Sequence, residues 1–176
     1  MRAVAVGVYP GTFDPLTIAH LAVAEAAVRQ LRLARVDLAL SRVALGKEHL
    51  GEHTVAERVA TIERAAVSRP WLGVVVVESR LIADIADGYD AVVMGADKWA
   101  QVVDPAWYGD DEAERDRAVA RLPRIAVAPR AGVDVPAELR LRVPEHLAEV
   151  SATAVRSGRA DWAAPEARVD HDRGKG

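Results

Sequence analysis

Five short valine-rich runs, at residues 3–9, 36–40, 73–77, 91–94 and 125–128, constrain the fold most strongly. Each is continuously apolar rather than alternating, the pattern of a strand covered on both faces. Between them the apolar residues change to helical spacing. Leu21, Ala24, Val28 and Leu31 share one face, and Val55, Val59, Ile62 and Ala66 share another. Parallel neighbours need a crossover connection, which such helices supply. The pattern therefore predicts an α/β protein with a doubly wound parallel sheet. No repeat or linker divides the pattern, so residues 1–165 read as a single domain. "TVAE" at 54–57 spells a capping box at a helix start. The charged stretch 112–121 reads as a surface helix, with Asp110 and Asp111 suited to its positive end. Residues 166–176, with the polar run "RVDHDRGKG" from Arg168, read as a flexible tail.

Composition removes several function classes. The 23 basic and 26 acidic side chains leave a formal charge of −3, so no global positive field draws the chain to nucleic acid or to a membrane surface. Any phosphate recognition must be local. The absence of cysteine excludes disulfides, thiolate metal sites and cysteine nucleophiles. No stretch approaches the roughly 20 apolar residues of a spanning helix, and 1–8 is too short and strand-like for a leader, so the expected location is cytoplasmic. Nothing in the sequence fixes an oligomeric state.

The connection after the first strand, "GTFDPLTIAH" at 11–20, concentrates residues with separate physical roles. Gly11 permits a close approach, Pro15 restricts the turn, and Thr17 offers a hydroxyl three positions before His20. A helix start has unsatisfied N–H groups and the positive end of the helix dipole, which suit a phosphate. On spacing alone, a phosphate cradle and an ordinary turn with a capping threonine remain open. His49 and His53 stand four apart, but no third ligand completes a metal site nearby, so they read as a loop pair. Trp99 and Trp107 read as packing residues, and Arg58 as a surface or salt-bridging residue.

"GTFDPLTIAH" resembles the signature of the nucleotidylyltransferase superfamily, G-x-F-D-P-x-[HT]-x-G-H after a first strand. "VSATAVRSG" at 150–158 resembles that superfamily's late phosphate-binding motif, S-[ST]-x-x-[IV]-R. Between them, "VVMGADKW" at 92–99, Trp107 and "LPRIAVAPRAG" at 122–132 are similar to the nicotinate mononucleotide adenylyltransferase branch. The chain departs from that branch at four places. Thr17 stands in place of a histidine, Ala19 in place of a glycine, Ala152 lies inside the late motif, and 78–88 lacks the S-Y-T stretch used around the pyridine substrate.

The resemblance implies a Rossmann-like nucleotidylyltransferase fold and transfer of the AMP moiety of ATP to a phosphomonoester, with release of pyrophosphate. The acceptor it suggests is nicotinate mononucleotide, in NAD synthesis. It implies that His20 meets the α-phosphate, assisted by Thr17 and the backbone of Gly11 and Thr12, with Phe13 completing the nucleotide-binding turn. Gly95 and Asp97 would meet the adenosine, while Ser151, Thr153 and Arg156 would hold the β- and γ-phosphates. Lys47 would face the acceptor phosphate, with a solvated surface lysine as the other reading. Mg²⁺ would travel with ATP rather than occupy a protein metal site. Two alternatives stay open: CTP or another phosphorylated metabolite as substrate, and a nucleotide-binding module without turnover.

Overall fold

The computed structural model describes residues 4–42 and 53–172. Five parallel strands, β1 (Val6–Pro10), β2 (Arg35–Ser41), β3 (Leu72–Val77), β4 (Ala91–Gly95) and β5 (Arg124–Ala128), form one sheet in the order β3-β2-β1-β4-β5. Each expected strand is present within a few residues. The first begins at Val6 rather than at residue 3. The chain winds outward from β1 in one direction and then, after β3, crosses to β4 on the other side. That reversal opens a crevice beyond the carboxyl ends of β1 and β4.

Helices cover both faces. Helices α1 (Ile18–Leu31) and α2 (Val55–Val67) pack Leu21, Ala24, Ala27, Ile62 and Ala65 against Leu38, Leu40 and Val93. The opposite face joins Val8, Ala39, Val92 and Met94 to Ile85 of α3 (Ile82–Ile85) and Val102 of α4 (Ala96–Val103). Leu38, Leu40, Ile62 and Met94 are fully buried. Each contributes about 1.5–3 kcal/mol relative to an exposed position. One sheet edge departs from expectation: β3 buries Leu72 and is covered only in part from Gly73 to Val77.

Local signals explain the helix boundaries. Thr54 accepts a hydrogen bond from the Glu57 N–H at 3.2 Å, while Glu57 accepts one from the Thr54 N–H at 2.6 Å, completing the capping box. Asp111 caps α5 (Glu112–Ala120), which buries none of its residues and lies on the surface. Asp37 is a buried carboxylate within β2, held by Arg35 at 2.9 Å and by the Tyr89 hydroxyl at 3.2 Å. Gly73 leaves room for it, since a Cβ there would lie 2.1 Å from Asp37 Oδ1.

The C-terminal segment differs from the expected tail. After α6 (Ala152–Arg156), a helix α7 spans Pro165–Asp172. Its polar sequence gives little hint of order, but its contacts supply the reason. Glu166 pairs with Arg69, just past the C-terminus of α2, at 2.7 Å, and Ala163 and Ala164 are buried. The two tryptophans also separate: Trp99 packs against the core, whereas Trp107 is 61% exposed. Trp107 sits in a 3-10 turn at Pro105–Tyr108, a turn that buries none of its residues.

Candidate functional site

At the carboxyl end of β1 the backbone turns sharply. Phe13 adopts a positive φ of 48°, and its ring lies over Gly11, where a Cβ would sit 2.8 Å from the ring. Only glycine permits that approach. The Gly11 N–H is already bonded to the Ala39 carbonyl at 3.1 Å, so it anchors the turn to β2 instead of facing a ligand. The Phe13 ring is buried, edge-on to Tyr9 and to His20. Its role is to support the turn from beneath.

Thr17 is the N-cap of α1 and is completely buried. Its hydroxyl accepts the His20 N–H at 3.2 Å, and its own N–H donates to His20 Nδ1 at 3.0 Å. The second bond makes Nδ1 an acceptor, which assigns the ring proton to Nε2. Burial lowers the His20 pKa from 6.5 to about 4, so the imidazole is neutral at physiological pH. Thr17 was expected to assist the chemistry directly. Its side chain is instead enclosed and committed to His20, whose ring it holds in place.

The turn is held from three further directions. Arg58 of α2 donates to the Thr12 carbonyl at 2.8 Å, Arg156 of α6 donates to the Asp14 carbonyl, and Ala164 donates to the Leu16 carbonyl at 2.9 Å. Ala163 forms an antiparallel bridge with Thr17. Asp14 is buried, with its carboxylate 2.8 Å from His53 Nδ1. His53 is thus a partner of the turn. Sequence reasoning missed these contacts of Arg58 and His53, because nothing local marks a side chain that reaches another element.

A cleft of about 210 Å³ lies beside this turn. Tyr9, Ala19 and His20 line one wall, Gly95, Ala96, Asp97 and Arg130 another, and residues between Val143 and Ala152 close it. His20, Gly95, Asp97 and Ser151 are thereby brought together. Gly95 and Asp97 arrive at the start of α4, where Asp97 forms an ion pair with Arg130. Ser151 caps α6 through the Ala154 N–H at 3.1 Å. Thr153 and Arg156 lie on that short helix and bond to each other at 3.2 Å, with Arg156 turned toward the Asp14 carbonyl. Lys47 and His49 lie outside the described residues.

A parallel sheet of this order, with a glycine-proline turn feeding a helix start at the crevice, defines a doubly wound α/β protein with a helix N-terminus open to an anion. The cytidylyltransferase-like family model matches residues 8–158, and the chain belongs to that family within the nucleotidyltransferase superfamily. No curated protein matches the chain. Among the described residues no helix is long and apolar enough to cross a membrane.

Proposed function

We propose that this chain is an adenylyltransferase that joins the AMP moiety of ATP to a small phosphomonoester, with nicotinate mononucleotide as the leading acceptor. An acceptor phosphate oxygen attacks the α-phosphorus of ATP. The bond from that phosphorus to the bridging oxygen breaks, and pyrophosphate leaves. Such in-line transfer depends on positioning and on fixed hydrogen-bond donors at the charged oxygens, and it requires no covalent enzyme intermediate.

The observation that carries the reading is His20. Its Nδ1 is occupied by Thr17, which leaves a protonated Nε2 as the ring donor at the head of α1. A neutral imidazole with a fixed donor can hold an α-phosphate oxygen without giving up its proton, and the low pKa keeps it in that state. The α1 N-terminus adds backbone donors and a favourable dipole. Ser151, Thr153 and Arg156 are the candidates for the departing phosphates, provided Arg156 shares its guanidinium between them and the Asp14 carbonyl.

The residues fit a metal that arrives on the nucleotide. The cleft offers hydroxyl, imidazole and guanidinium donors, from Ser151, His20 and Arg130, that suit the phosphates of a metal-bound nucleotide. Mg²⁺ prefers phosphate oxygens and water, and bound there it would neutralise charge on the leaving pyrophosphate.

A second acceptor class is supported by residues 78–88, which carry α3 and lack the pyridine-site stretch of the similar branch. The test is pyrophosphate release from ATP and CTP against nicotinate mononucleotide, nicotinamide mononucleotide and phosphopantetheine, with His20→Ala in parallel. Turnover with ATP and nicotinate mononucleotide, reduced at least about 100-fold in His20→Ala, is the expected result. Turnover with another pair would reassign the substrate. Nucleotide binding with no turnover across the panel would favour a binding module.

A further inference from the structure

The chain has three tyrosines, and they differ in one respect. Tyr89 donates its hydroxyl hydrogen to Asp37 at 3.2 Å, and Tyr108 donates to the Val102 carbonyl at 3.0 Å. Tyr9, only 8% exposed, has no hydrogen-bond partner for its hydroxyl among the described residues. Its ring is fully accounted for: it stands edge-on to Phe13, with centroids 5.4 Å apart, and to His20 at 6.2 Å. The hydroxyl oxygen is not enclosed: it meets the open cleft, and phenylalanine would make the same ring contacts. The oxygen therefore has no evident structural role in the fold.

Tyr9 lines the cleft beside His20. It comes from β1 upstream of the turn, so it lies on the sheet side of the α1 N-terminus, where the phosphates are expected. The cleft wall nearby is apolar, built from Ala22, Val23, Ala128 and Val150. Such a wall suits a base and sugar better than a triphosphate. Burial raises the phenol pKa, so the group remains an O–H donor throughout the working pH range.

We propose that Tyr9 is a substrate-contacting residue whose hydroxyl donates a hydrogen bond to the nucleoside portion of the bound nucleotide. The proposal rests on the nucleotidyl-transfer reading and adds a polar contact that the sequence signature does not supply. The test is equilibrium binding of ATP, CTP and inorganic tripolyphosphate, each with Mg²⁺, to the wild-type chain and to Tyr9→Phe, alongside thermal melts. Tyr9→Phe should melt no lower than wild type and bind the preferred nucleotide about 5–10-fold more weakly, the effect of one lost hydrogen bond. Its affinity for tripolyphosphate should stay within about twofold of wild type. Nucleotide affinity equal to wild type would overturn the contact alone. An equal loss of nucleotide and tripolyphosphate affinity would overturn its assignment to the nucleoside. A wild-type chain that binds neither nucleotide would overturn the nucleotidyl-transfer reading and this contact together.

Discussion

The two walls of the cleft are built differently. On the β1–α1 side, the turn from Gly11 to His20 is tied to β2 through Gly11, to α2 through Arg58, to the segment ahead of the α2 cap through His53, to α6 through Arg156, and to the C-terminal segment through Ala163 and Ala164. On the β4–β5 side, Gly95 caps α4 without any side-chain bond, and an exposed pair, Asp97 and Arg130, spans the opening. The difference fits the two tasks of the proposed transfer. A group that stabilises charge at one phosphorus must be fixed to within a fraction of an ångström. A wall that accepts a nucleoside tolerates movement, and exposed charges can exchange a protein partner for a ligand at small cost.

Acid titration tests the rigid side most severely. His20 binds its proton at about pH 4 in the fold and at 6.5 when unfolded, so between those values the unfolded chain holds more protons. Stability contributed by the neutral ring is complete above pH 6.5 and is lost as pH falls toward 4. At about 1.4 kcal/mol per pH unit, the loss reaches about 3 kcal/mol. Denaturant melts at pH 7 and pH 4.5 should show a larger difference for wild type than for His20→Gln; equal differences would mean that the ring is not held neutral.

Thr17→Ala comes next. Removing a buried N-cap hydroxyl should cost about 2 kcal/mol, read as a lower urea midpoint. If the wall acts by positioning, kcat for the proposed transfer should fall about 10–100-fold while KM for the nucleotide changes little. A variant that loses stability with unchanged kcat would show that the cap serves only the helix.

The same contrast explains what could be read from the sequence. The strands were legible because burial on both faces writes an unbroken apolar run, and the first turn because glycine, proline, threonine and histidine each have a local reason to be there. The Thr54 cap and the surface helix at Glu112–Ala120 were legible for similar reasons of local chemistry. The contacts of Arg58, His53 and Arg156 were not, since each reaches an element more than 35 positions away. Helix α7 was hidden because its order comes from Arg69 and from buried Ala163 and Ala164, while its own sequence is polar. Trp107 reversed its expectation for the converse reason: a large aromatic favours burial, but its turn buries none of its residues.

Glu166→Ala asks whether α7 belongs to the rigid wall. Both side chains of the Arg69–Glu166 pair are mostly buried, so removing one leaves the other short of water, with an expected loss of about 1 kcal/mol. Because Ala163 and Ala164 connect this helix to Leu16 and Thr17, kcat should fall with it, by about twofold to fivefold. Stopped-flow or steady-state rates at a temperature well below both melting points separate that effect from unfolding. Unchanged kcat would confine α7 to a packing role and shorten the rigid wall by one support.

Arg130→Ala should have the smallest effect on the fold. The Asp97–Arg130 pair is exposed on both sides, and such pairs contribute little once side-chain entropy and solvent screening are counted. We expect the melting midpoint to move by less than the equivalent of about 0.5 kcal/mol. Nucleotide affinity should nevertheless change, because the variant frees the Asp97 carboxylate and removes a cation from the rim of the cleft. The sign separates two arrangements of the β4–β5 wall. Tighter binding would mean that Arg130 competes with the nucleotide's hydroxyls for Asp97, while weaker binding would mean that Arg130 itself meets a phosphate. If affinity and its dependence on salt both stay the same, this pair is not part of the nucleotide wall, and the contrast between the two sides of the cleft narrows to their difference in anchoring.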